Sequence, residues 1–121
     1  FHIFNFIAGK NGKLLMTSQT FPKSWNLGLT DLLSRLMSIR CTILGLPDEK
    51  LLRAVMSKQF SDKQIRVPDG VIDYATIRME RSFKFAKILV DALDNEALSL
   101  KKPITKSLVN RVIEKFKRNS I

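Results

Sequence analysis

The sequence predicts a mainly α-helical chain: a self-sufficient four-helix array preceded by a short remnant of an α/β layer. Three observations predict it. From about Leu44 to Phe116, apolar residues recur at three- and four-residue spacing, the period of a helix with one buried face. Three of these stretches open on proline followed by an acidic or capping residue, at Pro47-Asp48, Pro68-Asp69 and Pro103-Ile104-Thr105. Before them, Lys13 to Ser18 reads as a strand whose three consecutive apolar residues, Leu14-Leu15-Met16, call for burial on both faces. Such a strand needs neighbours that the rest of the chain does not obviously supply.

The elements follow in order. Phe1, Phe4, Ile7 and Ala8 mark the end of an amphipathic helix, stopped by the turn cluster Gly9-Lys10-Asn11-Gly12. After the strand, Thr30 is the expected N-cap of a helix with Asp31 in its first turn and a buried stripe of Leu32, Leu33, Leu36 and Ile39. Ser34, Arg35 and Ser38 lie at or beyond the edge of that stripe. The next helix opens at Pro47-Asp48-Glu49, with Leu51, Leu52, Val55 and Met56 inward. Lys63 to Val67 is extended, because Pro68 disfavours the helical region at Val67. A helix from Asp69 buries Val71, Ile72, Ala75 and Met79. A second pattern, Met79, Phe83, Ala86, Leu89, Val90 and Leu93, follows with little or no break and ends near Asp94-Asn95. The last helix turns Leu108, Val109, Val112, Ile113 and Phe116 inward and Lys106, Arg111, Lys115 and Lys117 outward.

Composition narrows the function classes. The 121 residues are 45% hydrophobic and 26% charged, with mean hydropathy −0.03, as in a globular chain with one core. No stretch approaches the roughly 18 uncharged apolar residues of a membrane span, and Phe1 to Phe6 lack the basic leader and cleavage site of a signal peptide. The single cysteine, Cys41, excludes an internal disulfide and a multi-cysteine zinc site, and a reduced, cytoplasmic setting is expected. The net charge of +10 is uneven: +5 over residues 1–60, −1 over 61–100 and +6 over 101–121. A basic end of this kind attracts phosphate or acidic protein, although a solvated helix face accounts for it equally well.

Catalytic motifs are missing. In Gly9-Lys10-Asn11-Gly12-Lys13, Ile7 stands where a phosphate loop requires its first glycine, and Leu14 where it requires a Mg²⁺-binding hydroxyl. The strand carries no acidic pair for a metal, and there is no His/Cys ligand set or nucleophile elbow. No metal site is expected. Asp91 and Asp94 share a helix face that is most simply a solvated one.

Two strings nevertheless carry a resemblance. Leu14 to Pro22, continued by Leu27-Gly28-Leu29-Thr30-Asp31-Leu32-Leu33-Ser34-Arg35-Leu36, is similar to the second half of the ATPase domain of the DnaA family of AAA+ proteins. The match is closest to the Hda-type regulatory inactivators of DnaA. Arg66-Val67-Pro68-Asp69, Arg78-Met79-Glu80-Arg81-Ser82-Phe83, Leu93-Asp94 and Pro103-Ile104-Thr105 resemble the same family in the same order. The resemblance implies that residues 1–42 are the C-terminal remnant of the α/β nucleotide-binding domain, with its sensor-one strand and arginine-finger helix. Residues 43–121 would be the AAA+ helical lid with sensor two. The family's phosphate loop, acidic metal motif and clamp-binding peptide precede these segments, so the chain is expected to be a fragment or a truncated gene product.

The implied site follows residue by residue. Arg35 matches the arginine finger that acts in trans on a neighbouring subunit's nucleotide, a role suited to a planar, permanently charged guanidinium. Arg81 matches sensor two, and Arg78, three residues earlier, is a possible substitute whose bland alternative is pairing with Asp73 or Glu80. Gln19, with Ser18, holds the sensor-one position where relatives often carry an acid, which favours nucleotide as a structural ligand over intrinsic hydrolysis. The implied function is negative regulation of replication initiation: stimulating hydrolysis of ATP bound to DnaA, as a regulator more than an autonomous enzyme. The alternative is a fragment of the initiator itself, with ATP-dependent origin binding. Implied cofactors are ADP or ATP with Mg²⁺ in the full-length protein, with none expected on this fragment. Implied partners are ATP-bound DnaA, the sliding clamp in the full-length protein and, through self-association, a second copy, with DNA binding indirect or weak and no membrane.

Overall fold

Helix formation accounts for all regular structure among residues 1–120, the residues that the computed structural model describes. The chain divides into two units, Phe1–Ile43 and Leu44–Ile121.

In the first unit, α1 (His2–Gly9) ends where Asn11 adopts the left-handed conformation at φ 51°. There the Asn11 N–H donates to Ala8 O at 3.2 Å and the Gly12 N–H to Ile7 O at 3.0 Å, satisfying carbonyls that the helix leaves open. The strand expected at Lys13–Ser18 does not form: the segment is irregular and Leu15 is 91% exposed. A strand exists only as a member of a ladder, and no described residue supplies the second rung. A 3₁₀ turn at Pro22–Ser24 packs against α2 (Thr30–Met37). Thr30 does not cap this helix. It is the first helical residue, and Leu29 occupies the cap position without a side-chain bond. Of the expected stripe only Leu36 is buried, Leu32 and Leu33 are half-buried, and Ile39 is exposed.

The second unit is four helices around one core: α3 (Glu49–Asp62), α4 (Asp69–Arg78), α5 (Phe83–Leu100) and α6 (Lys106–Asn119). Side-chain caps set three of the four starts. Asp48 Oδ1 accepts from the Leu51 N–H at 2.7 Å, Ser82 Oγ from the Phe85 N–H at 3.0 Å, and Thr105 Oγ1 from the Leu108 N–H at 3.2 Å. Both α3 and α6 pack against both α4 and α5. The core they enclose is centred on Leu52, Met56, Leu89, Val90, Leu93 and Val109, with Phe85 and Phe116 meeting edge to face at 5.5 Å on its flank.

Local structure departs from the expected pattern at three points. In α3 the inward row is Leu52, Met56 and Phe60, a strict four-residue spacing, while Val55 is half-buried and Leu51 exposed. Between α4 and α5 there is a true break: Met79 is extended at ψ 162° and Ser82 caps a new helix. Met79 still reaches the core, so its apolar signal fitted either helix. Finally, α5 runs past Asp94-Asn95 to Leu100, because Ala92, Leu93 and Ala97 keep packing while the polar residues turn outward. It stops where Lys101 takes φ 52°.

Candidate functional site

Arg81 lies in the break between α4 and α5, one residue before the Ser82 cap. Its Nη2 donates to Glu49 Oε1 in the first turn of α3 at 3.4 Å, and its side chain is 59% exposed. A long, open ion pair of this kind is readily exchanged, because water competes for both ends. The guanidinium thus offers most of its donor fork to solvent beside a helix start.

Arg78 is held differently. It is the last residue of α4, and its guanidinium stacks over the Tyr74 ring at 3.6 Å while Nη1 donates to Tyr74 O at 3.3 Å. It pairs with neither Asp73 nor Glu80. Asp73 is taken by Arg53 Nε at 2.5 Å. The three-residue spacing of Arg78 and Arg81 does not put them on one helix face, since the helix ends between them.

In the first unit, Arg35 projects from α2 and its Nη1 donates to Asn5 Oδ1 at 2.6 Å, with the guanidinium 5.1 Å from the Phe1 ring centroid. Arg35 is exposed and has no carboxylate partner among the described residues. Ser18 and Gln19 do not end a strand. Ser18 Oγ donates to Thr20 O at 2.9 Å and accepts from the Thr20 N–H at 3.2 Å, forming a local turn, and Gln19 is exposed on the bend.

Asp91 and Asp94 were expected to be solvated, and they have a partner. Lys63 Nζ, just past the end of α3, lies 3.1 Å from Asp91 Oδ1 and 3.3 Å from Asp94 Oδ2, tying α3 to α5. The hydrogen bonds that Lys63 donates to Asp91 and then Asp94 raise its pKa above its ordinary 10.5, and the same ammonium lowers that of Asp91 below 3.8. Glu96 is likewise lowered, first by its hydrogen bond to Lys115. The sequence signal for this triad was the three-residue spacing of the two aspartates. What it lacked was the lysine, which is 28 residues upstream of the nearer one.

Two open grooves flank the four-helix unit. One, of about 790 Å³, runs past the starts of α4 and α6 and is lined by Arg66, Val71, Ile104 and Lys106 among others. The other, of about 360 Å³, is lined by Phe60, Gln64 and Ile72 among others. Neither includes Arg78 or Arg81. Among the described residues, no group of three His, Cys, Asp or Glu is placed to hold a metal, and no helix is long and apolar enough to cross a membrane.

No family model matches the chain, and no curated protein matches it. The functional reading therefore rests on the residues themselves.

Proposed function

We propose that this chain is the C-terminal half of the ATPase domain with the helical lid of a DnaA-family AAA+ protein of the Hda-type inactivator kind, and that it promotes hydrolysis of ATP bound to DnaA. On this reading residues 43–121 are the helical lid, Arg81 is its nucleotide-facing guanidinium, and Arg35 acts in trans on the nucleotide of DnaA. Arg78 is the lesser candidate, because its guanidinium is already stacked on Tyr74. Ser18 and Gln19 would reach the sensor-one position only once the upstream sheet supplies a ladder for Lys13–Ser18.

The observation that carries the reading is the Arg81 environment. A guanidinium at the mouth of a helix break, held by one 3.4 Å contact and otherwise open, fits a residue that waits for an anion. The ordered motif strings around Arg35 and Arg81 and the four-helix array support it. Arg35 is compatible with a role in trans because it is exposed and its Asn5 bond is neutral on the acceptor side. Bound nucleotides would supply the phosphate charge, that of the chain's own nucleotide for Arg81 and that of the DnaA nucleotide for Arg35. ADP or ATP with Mg²⁺ would be held mainly by the family's phosphate loop, outside these 121 residues, with Arg81 as the contribution of this part.

The test is a hydrolysis assay on ATP-bound DnaA, with and without the polypeptide that carries these residues together with the phosphate loop. Stimulation that falls at least about a hundredfold in Arg35→Ala is the expected result, since a supplied arginine is worth roughly 10³ to 10⁵ in rate. Stimulation unchanged in Arg35→Ala would remove the assignment.

A further inference from the structure

The charge of the four-helix unit is concentrated at one end of its sequence. Over residues 44–100, nine Lys/Arg balance nine Asp/Glu, whereas residues 101–121 hold seven cations and one acid. Ion pairing among the described residues occupies two of those seven, Lys115 with Glu96 and Lys117 with Glu114. Lys101, Lys102, Lys106, Arg111 and Arg118 are exposed and have no carboxylate within pairing distance among the described residues.

Two of them are in register on α6. Arg111 and Arg118 are seven residues apart on α6, two turns and roughly 10 Å along the same face. The Lys101-Lys102 pair follows α5 in the turn fixed by the left-handed Lys101. The outer face of α6 is also uniformly polar: its exposed positions include Ser107, Asn110, Arg111, Lys117 and Arg118, and none is apolar. A protein interface needs an apolar or aromatic centre to exclude water, and the outer face of α6 has none, the exposed Leu98 and Leu100 belonging to the end of α5. A single-strand surface needs aromatic platforms for bases to stack on, which are equally missing. Cations interleaved with amide and hydroxyl groups on a rigid rod are the donors that contact a fixed phosphate lattice.

We propose that the outer face of α6, with the Lys101-Lys102 turn, docks onto the phosphate backbone of a nucleic-acid duplex without reading its sequence. The surface is separate from Arg35 and Arg81 in sequence, and the inference does not depend on the nucleotide reading. Affinity is of the non-specific class, with Kd on the order of 10⁻⁴ to 10⁻⁶ M at physiological salt.

The experiment is fluorescence anisotropy of a labelled 20-base-pair DNA duplex of arbitrary sequence, titrated with the full chain over a series of NaCl concentrations. Three or four neutralised phosphates give a slope of log K against log salt of about −3. Replacing Lys101, Lys102, Arg111 and Arg118 together by Gln should weaken binding at the lowest salt at least about tenfold and flatten the slope by a comparable number of contacts. The charge-matched control, Lys10→Gln, Lys13→Gln, Lys23→Gln and Arg40→Gln, should stay within about twofold of the parent, because those residues belong to neither α6 nor the Lys101-Lys102 turn. Circular dichroism verifies that each variant keeps its helices, and Arg111→Gln with Arg118→Gln alone carries the test, at about threefold, if the larger variant does not fold. The proposal is overturned by absence of saturable binding at low salt, by equal losses in the two charge-matched variants, or by tighter binding of a single strand. Displacement of the duplex by polyglutamate as effectively as by unlabelled duplex would also overturn it, by pointing to an acidic protein.

Discussion

Arg81 Nη2 meets Glu49 Oε1 at 3.4 Å, so the start of α3 and the turn before α5 share one loose ion pair. A bond so long and exposed contributes little to stability, and its residues are correspondingly free to be used for something else. Arg81→Ala should therefore shift the unfolding free energy of the four-helix unit by less than about 1 kcal/mol in a urea titration. If the proposed AAA+ function holds, the same variant should weaken ADP binding, measured by calorimetry on a polypeptide that includes the phosphate loop, while Glu49→Gln should leave it intact or tighten it. A large stability loss with unchanged ADP affinity would make Arg81 a structural residue.

Lys63 gives the unit a pH signature. Its own pKa is raised above 10.5, so its contribution is complete below that value and is lost as pH rises through the folded one. Asp91 is lowered below 3.8, so its contribution is complete above that value and is lost as pH falls through the folded one. Stability measured by thermal melting should be flat with respect to this triad between about pH 5 and pH 9 and decline on both flanks. Lys63→Met should reduce both declines, and 1 M NaCl should do so in part, because both side chains are partly exposed to ions.

The Ser82 hydroxyl separates α5 from α4. Ser82→Ala removes the acceptor for the Phe85 N–H and should cost about 1 kcal/mol. Ser82→Asp, which keeps an acceptor at the cap, should recover the loss. If both variants are equally destabilised, something other than the cap fixes the break.

Gln64 closes α3. It adopts φ 59°, its N–H donates to Ser61 O at 2.9 Å, and the Ile65 N–H donates to Phe60 O at 2.9 Å, the paired bonds of a left-handed helix terminus. A residue with a Cβ is strained there, and glycine is not. Gln64→Gly should stabilise the unit by roughly 0.5 to 1 kcal/mol, and Gln64→Val should destabilise it, read from the midpoint of a denaturant titration.

Much of the four-helix unit is legible from periodicity. Leu52, Met56, Leu89, Val109 and Val112 are core because they repeat at helical spacing, and Thr105 caps because an oxygen-bearing side chain stands just before an apolar run. The break at Met79–Ser82 was hidden, since Met79 continues the apolar pattern of the next helix while its backbone has already left the first. The end of α5 was misplaced for the opposite reason: Asp94-Asn95 looks like a terminus, yet its polar atoms simply face outward. In the first unit the pattern misled. Leu14-Leu15-Met16 has the composition of a doubly covered strand, but composition cannot supply the neighbouring strands that make the hydrogen bonds.

The sequence by itself determined the helical period, the caps at Asp48 and Thr105, the charge surplus after residue 100 and the motif strings around Arg35 and Arg81. These are properties of a residue and its near neighbours, and local sterics and hydrogen bonding fix them. Tertiary structure alone decided that Glu49 is the partner of Arg81, that Lys63 bridges Asp91 and Asp94, that Arg53 rather than Arg78 takes Asp73, and that five basic residues near the C-terminus go unpaired. Each of these depends on which helix faces which, a choice made by burying the core and not by the charges it brings together.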